Sequence, residues 1–589
     1  MKTVFSPSPA CAPRAGACLR RLAAAAMLGA LTLAAAPVPA QLAPPAPRGL
    51  PSLGDAGEMT PLEERKLGDL IARELYRDPD YIDDAVVGEY VDGIWRALMA
   101  GARARGELSP ELDERYAWRV LLGRDRSINA FALPGGYMGL HLGLVGAVAS
   151  RDELASVLGH EMSHITQRHI ARLLGQQSRQ MPLMIAAMVA GAVAASKNPQ
   201  AGAALAVGGQ AAVIQQQLNF SRDMEREADR VGYAVMTQAG FAPQGFVSMF
   251  EKLQAAARVD DNGEWPYLRS HPLTTQRIAD MQQRVQALKQ TPEPPPGRPK
   301  AASAPSGGSA AGEVAERGGT ISPPPGRPKA ASAPSGGSAA GAAAERGGQD
   351  IEALLVAARA RVLSRPGVDA LRTWADEPGQ SGFASQPLAR RAGVLYAAAL
   401  AQVELRDLPR AQALAAQLLP LVAGHPRATH QVHLLQAELA LRADQPQRAL
   451  DLLKAEAPAT ASDPQSQAGR AALLLRAQAL TRTGQAGEAA SQLRTWVGDH
   501  AQDAGAWQAL AQAETAQGQT LRALRAEGEA PMAQLDYGGA VNRWRAAQDW
   551  ARQHPGGSAD LIEVSIVDAR LRQAQALLQQ QREDEKKFR

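Results

Sequence analysis

Cysteine is almost absent from this 589-residue chain: Cys11 and Cys18 are its only two, and both fall within the first 40 residues. Once that leader is set aside there is no disulfide framework, so the rest must be held by its cores and any bound metal. That suits a bacterial periplasm better than a disulfide-dense secreted scaffold. Aromatic residues make up only 4% of the chain against abundant alanine, which favours packed helices over sheets. An excess of charge is lacking too. The net of +4 comes from Lys2, Arg14, Arg20 and Arg21 in a leader with no acidic residue, and the remainder carries 59 residues of each sign. Without a positive field, phosphate binding loses its usual driver, and nucleic acid is not expected as a partner.

Long apolar runs are also missing. Leu22–Ala36 falls short of the ~20 residues a membrane-crossing helix needs, as do Met181–Ala195 and Ala201–Ile214. The first run follows basic residues and precedes Val38-Pro39-Ala40, the layout of a signal peptide cleaved after residue 40. The other two are expected to form a helical hairpin over the core. Membrane contact stays open, but no transmembrane span is expected in the mature chain, and export to the periplasm is.

The length calls for roughly two to four folding units. A Pro-rich lead covers 41–57. Thr60-Pro61-Leu62-Glu63 reads as a capping box that opens a helix toward Tyr76 and a domain over 58–290. Tyr116–Leu122 is rich in β-formers, and Ser127–Leu133 and Tyr137–Leu142 flank the turn Pro134-Gly135-Gly136, so a small sheet beside helices is expected. Residues 291–348 are Pro, Gly, Ser and Ala, with Pro294–Gly312 repeated letter for letter as Pro323–Gly341. The repeat lacks apolar positions to bury, so it reads as a duplicated flexible linker that leaves tight docking of the flanking halves in doubt. From 349 to 589 the chain is Ala/Leu-rich. Its recurrent turn is a small or polar residue followed five positions later by alanine: Asp444 and Ala449, Gly484 and Ala489, Gly518 and Ala523. The last two turns have the tetratricopeptide spacing, with Trp507 and Leu510 as packing residues, so an α-solenoid is expected.

Ser150-Arg151-Asp152-Glu153 is a second capping box, and the apolar spacing that follows predicts a helix over 151 to about 173. On it lies His160-Glu161-Met162-Ser163-His164, an HExxH motif. Positions i and i+4 share a helix face, so both imidazoles can bind one zinc ion while Glu161 reaches the metal's water. A catalytic zinc takes three protein ligands. Ile170 stands where the metzincin class requires a third histidine, and His169, at five residues, would turn away on a regular helix toward surface or supporting use. What remains is a glutamate on a later helix. In Ser221-Arg222-Asp223-Met224-Glu225-Arg226-Glu227-Ala228-Asp229, Glu225 can ligate zinc while Asp229, one turn on, holds a ligand histidine.

Asn129-Ala130-Phe131-Ala132-Leu133-Pro134-Gly135-Gly136, HExxH, Ser221-Arg222 with Glu225 and Asp229, and His271-Pro272 with Arg277 together resemble the HtpX and CAAX prenyl protease family of metallopeptidases. The resemblance implies a mainly α, gluzincin-type protease domain with a small β-sheet and one zinc on His160, His164 and Glu225, with Glu161 as general base. It also implies His271 near the metal, as a fourth, inhibitory ligand or as an oxyanion donor. The strand Tyr137–Leu142 could pair with an extended substrate. With the leader and repeats, the resemblance extends to exported members that degrade misfolded outer-membrane proteins and assist barrel assembly. The repeat domain would then contact the assembly machinery. A non-proteolytic scaffold with structural zinc has no use for Glu161; a membrane-embedded protease is the other alternative.

Overall fold

The computed structural model describes residues 59–176, 221–259, 266–290, 350–454, 469–554 and 558–588. The leader 1–40, the lead 41–57, the apolar stretches 181–214 and the linker 291–348 lie outside the described residues. Among the described residues no helix is long and apolar enough to cross a membrane.

Helix α1 (Pro61–Arg77) starts as its capping box dictates, the Thr60 side chain accepting from the Glu63 amide and the Glu63 carboxylate from the Thr60 amide. Asp84 caps α2 (Ala85–Arg105), which ends at Gly106 with φ 72. Every third or fourth residue of α2 points inward, putting Tyr90, Val91, Ile94, Trp95 and Leu98 in the main core. A short α3 (Pro110–Arg115) follows.

The sheet has four strands, β1 (Tyr81–Ile82), β2 (Arg119–Gly123), β3 (Ala130–Leu133) and β4 (Tyr137–His141), in the order β1-β2-β4-β3. β3 and β4 pair antiparallel across the Pro-Gly-Gly turn, where Gly135 and Gly136 have φ 70 and 86. A Cβ on Gly136 would lie 2.7 Å from the Tyr116 side chain, so the turn needs glycine for space as well as torsion. β2 pairs in parallel with the other side of β4. That corrects the substrate-strand expectation: Tyr137–His141 is interior and its ladder is full on both sides. The sheet's edges are β1 and β3, and among the described residues β3 pairs with β4 alone. A local hairpin pattern reveals the β3–β4 pairing but not the crossover that places β2.

After α4 (Leu142–Ala147) comes α5 (Arg151–Thr166), with Ser150 accepting from the Glu153 amide. It is buried from Glu153 to Thr166 and ends earlier than periodicity suggested. Gln167 and Arg168 break it, Arg168 adopting φ 54, before α6 resumes over 169–176. The break is held from outside, because the Arg168 guanidinium pairs with Glu64 of α1, itself 2% exposed. Helices α7 (221–238), α8 (Gln244–Val259), α9 (Pro266–Ser270) and α10 (Thr275–Gln290) complete the N-terminal half. α5 and α7 cross in close contact, for a Cβ on Gly232 would lie 2.9 Å from the Gly159 carbonyl.

Among the described residues from 350 onward the chain is helical, beginning with α11 (Ile351–Leu363). Ala353, Val356 and Ala360 of α11 belong to the N-terminal half's core, while Ile351, Leu355 and Val362 belong to the next cluster. One helix thus carries two cores. Arg359, 6% exposed, grips Asp84 at 2.7–3.0 Å and Glu438 at 2.8 Å. Arg470 forks onto Asp83 at 2.7 Å. The two halves are therefore firmly docked, which overturns the doubt raised by the linker.

Candidate metal centre

α5 presents His160 and His164 on one face, with their Nε2 atoms 3.1 Å apart. The Gly159–Gly232 crossing brings α7 near enough for Glu225 to join them: Oε2 lies 3.4 Å from His160 Nε2 and Oε1 3.5 Å from His164 Nε2. His271, just past α9, sets Nδ1 3.3 Å from His160 Nε2 and 2.9 Å from Glu225 Oε1. Its backbone is pinned on both sides, the His271 amide donating to the Tyr267 carbonyl at 2.8 Å and the Pro272 carbonyl accepting from Arg277 at 2.9 Å. All four residues are buried, and one donor atom from each lies within 4.8 Å of the others.

These spacings fit a metal. With zinc–nitrogen bonds of about 2.0–2.1 Å, the edge of a tetrahedral ligand set is about 3.3–3.4 Å, close to the separations of the His160, His164, Glu225 and His271 donors. Charge points the same way. Glu161, Glu225 and Asp229 bury three carboxylates against one guanidinium, Arg277, leaving two formal negative charges for a divalent cation to balance. Burial opposes charge on His160, yet Asp229 and Glu225 outweigh it and raise its pKa to about 9. A metal bound there would take the place of that proton. Burial, with the neighbouring His160 and His271, drives His164 well below the usual range and leaves it a neutral donor.

The support is laid out in depth. Asp229 Oδ1 stands 3.0 Å from His160 Nδ1, out of line for a hydrogen bond in this arrangement. Arg277 grips Asp229 at 2.6 and 2.8 Å and reaches Glu225 at 2.9 Å. Burial raises the Asp229 carboxyl, but Arg277 and His160 overcome it and keep it ionised. Glu161 is fully buried; its Oε2 accepts from the Ala132 amide of β3 at 2.9 Å, while Oε1 accepts no hydrogen bond from the described residues and has His271 Nε2 at 3.4 Å.

His169 stays out of the donor cluster, as its spacing suggested, and of the surface and supporting roles left open for it the structure takes the supporting one. The break at Gln167–Arg168 turns it inward, to 2% exposure, with Nδ1 2.9 Å from His164 Nδ1 and Nε2 3.1 Å from Glu227. Burial pushes it down to about 4 against the pull of Glu227, so the ring is neutral. Sequence reasoning also passed over Glu227, and Tyr267, whose ring packs 4.8 Å from that of His271. The acidic spacing around Glu225 contained Glu227, but nothing local marked it as facing inward.

The fold and site define a metallopeptidase domain of the HExxH type, and residues 107–285 match Peptidase family M48, so the chain carries a domain of that family. Among similar proteins, the beta-barrel assembly-enhancing protease of Escherichia coli K12 is 32% identical over 242 residues, 41% of this chain and 48% of that one. A Vibrio cholerae protein provisionally given the same name is 37% identical over 253 residues, 43% of this chain and 50% of its own. The mitochondrial metalloendopeptidase OMA1 of Arabidopsis thaliana is 30% identical over 159 residues, 27% of this chain and 30% of its own. The chain spans about half the length of the first two relatives.

Proposed function

We propose that this chain is an exported zinc metalloendopeptidase of outer-membrane protein quality control, cutting misfolded polypeptides and assisting barrel assembly in the periplasm. The observation that carries the chemistry is the four-donor cluster beside a buried carboxylate, Glu161, with one oxygen free. His160, His164 and Glu225 would hold one zinc ion per chain, which would supply Lewis acidity toward the scissile carbonyl and toward water. Asp229, held by Arg277, sets the His160 ring. Glu161, anchored through Oε2 to the Ala132 amide, takes the proton of the attacking water at Oε1 and passes it to the leaving nitrogen. An extended peptide added to the β3 edge is delivered to Glu161, because Ala132 belongs to both.

His271 sits within the donor set, and this supports its role as a fourth ligand that restrains the resting enzyme over the oxyanion role. The helices after 350 serve as a tetratricopeptide-like solenoid that recruits clients and the outer-membrane assembly machinery. The similar proteins named for barrel assembly support that setting. The test is digestion of an unfolded outer-membrane barrel protein by the purified full chain, with the folded barrel as control. Cleavage of the unfolded form alone, lost in Glu161→Gln, is expected; equal cleavage of the folded barrel would refute the quality-control role.

A further inference from the structure

We propose that His169 is a positioning residue for the metal ligand His164, fixing its tautomer and ring plane through a relay that ends on Glu227 and Arg172. This rests on the reading of His164 as a ligand through Nε2.

The hydrogen-bond logic has one solution. His164 Nε2 faces the donor cluster and must offer a lone pair there, so its proton is on Nδ1. That Nδ1 lies 2.9 Å from His169 Nδ1, and one of the two must donate. His164 Nδ1–H therefore donates and His169 Nδ1 accepts, which puts the His169 proton on Nε2. There it meets Glu227 Oε2 at 3.1 Å, and Arg172 Nη1 holds the same oxygen at 2.8 Å. The chain runs from a buried ligand to an ionised carboxylate with no mismatch of donor or acceptor. His160 receives Asp229 in the corresponding place; His164, with no carboxylate of its own there, receives a histidine that carries one.

The fold is shaped to deliver this ring. Five residues after His164 an unbroken helix would carry residue 169 off the face, but the left-handed Arg168 turns the chain back, and the buried Glu64 of α1 holds Arg168 in place. Aligning a histidine ligand in this manner is worth about 10–100-fold in metal affinity.

The experiment measures zinc affinity on the full chain by competition with a chelator, alongside ¹⁵N-histidine NMR of the ring tautomers. His169→Ala should weaken zinc binding by about 10–100-fold. His169→Asn, whose amide oxygen can stand where Nδ1 stands, should recover most of that loss. Glu227→Ala should weaken binding several-fold with the apo fold intact, and the His164 Nδ1–H signal should be lost in His169→Ala. A merely structural role would lower apo stability equally in Ala and Asn and leave Glu227→Ala at wild-type affinity. Zinc affinity within threefold of wild type in Glu227→Ala, or Asn no better than Ala, overturns the proposal, and Glu227→Ala decides even if His169→Ala fails to fold. His164→Ala run alongside keeps the readings apart: tight zinc retained there sinks the ligand assignment itself, whatever His169 does.

Discussion

Arg359→Met should loosen the whole molecule although Arg359 has no place in the metal cluster. Arg359 bridges Asp84, which is 9% exposed, and Glu438 from within the contact between the two halves. Methionine keeps much of the volume and removes the charge, leaving Asp84 buried without a cation and Glu438 with Arg442 alone, at 2.8 Å; breaking such a group costs roughly 3–5 kcal/mol. The low end is expected, because Asp84 still accepts from the Val87 amide as the cap of α2. The pH dependence has a definite sign. Burial raises Asp84 and Glu438, but Arg359 overcomes it and holds both below their ordinary values. Their contribution is thus complete above the unfolded-state carboxylate pKa of about 4 and is lost as pH falls through the lower folded values. In Arg359→Met the largest opposition to burial is gone, with the Val86 and Val87 amides left on Asp84 and Arg442 left on Glu438, so both pKa values rise, and the deficit is full near pH 7 and shrinks as acid protonates them. The assay is denaturant unfolding of the full chain at pH 7 and pH 5, with Asp84→Asn/Arg359→Met as the second arm of the cycle. Recovery of most of the deficit in the double variant is expected. A deficit below about 1 kcal/mol, or one that Asp84→Asn fails to relieve, would refute the buried bridge as the link between the halves.

His160→Ala, His164→Ala and Glu225→Ala should each lose the metal, read by elemental analysis of purified protein; stoichiometric zinc in Glu225→Ala would point to another third ligand. Gly232→Ala forces α5 and α7 apart at Gly159, so it should cost about 1–3 kcal/mol and weaken zinc binding, with wild-type affinity counting against the crossing as what sets Glu225 in place. His271→Ala should raise basal cleavage of an unfolded substrate at equal zinc content, whereas a fall by about 10²–10³ would assign His271 to the oxyanion instead.

The repeat turns show how far the sequence could be read. Asp444, Gly484 and Gly518 adopt φ 58, 79 and 71, and the alanines five residues on are buried, as their pattern suggested. The same turn recurs at Arg406 before Ala411 and at Leu535 before Ala540, with φ 65 and 62. Those two were not singled out, because a long charged arginine and an apolar leucine are not residues that favour the left-handed region, and tertiary packing bears the strain. In the site, His160, Glu161 and His164 were legible because one helix face sets their geometry, and Glu225 because its turn to Asp229 does. His271 was not legible from spacing, since its place depends on where α7, α9 and α10 pack. For His169 the spacing left surface and supporting use open, and what decides between them is not local: Glu64, 104 residues earlier in the chain, holds the break at Arg168 that turns the ring inward.

The most direct test of the account is zinc content and casein hydrolysis of purified Glu161→Gln beside wild type. Glutamine keeps the volume and an oxygen for the Ala132 amide but cannot take a proton. The account predicts one zinc per chain in both proteins and hydrolysis lower by about 10²–10⁴ in the variant. Undiminished hydrolysis, or loss of the zinc with the carboxylate, would contradict it.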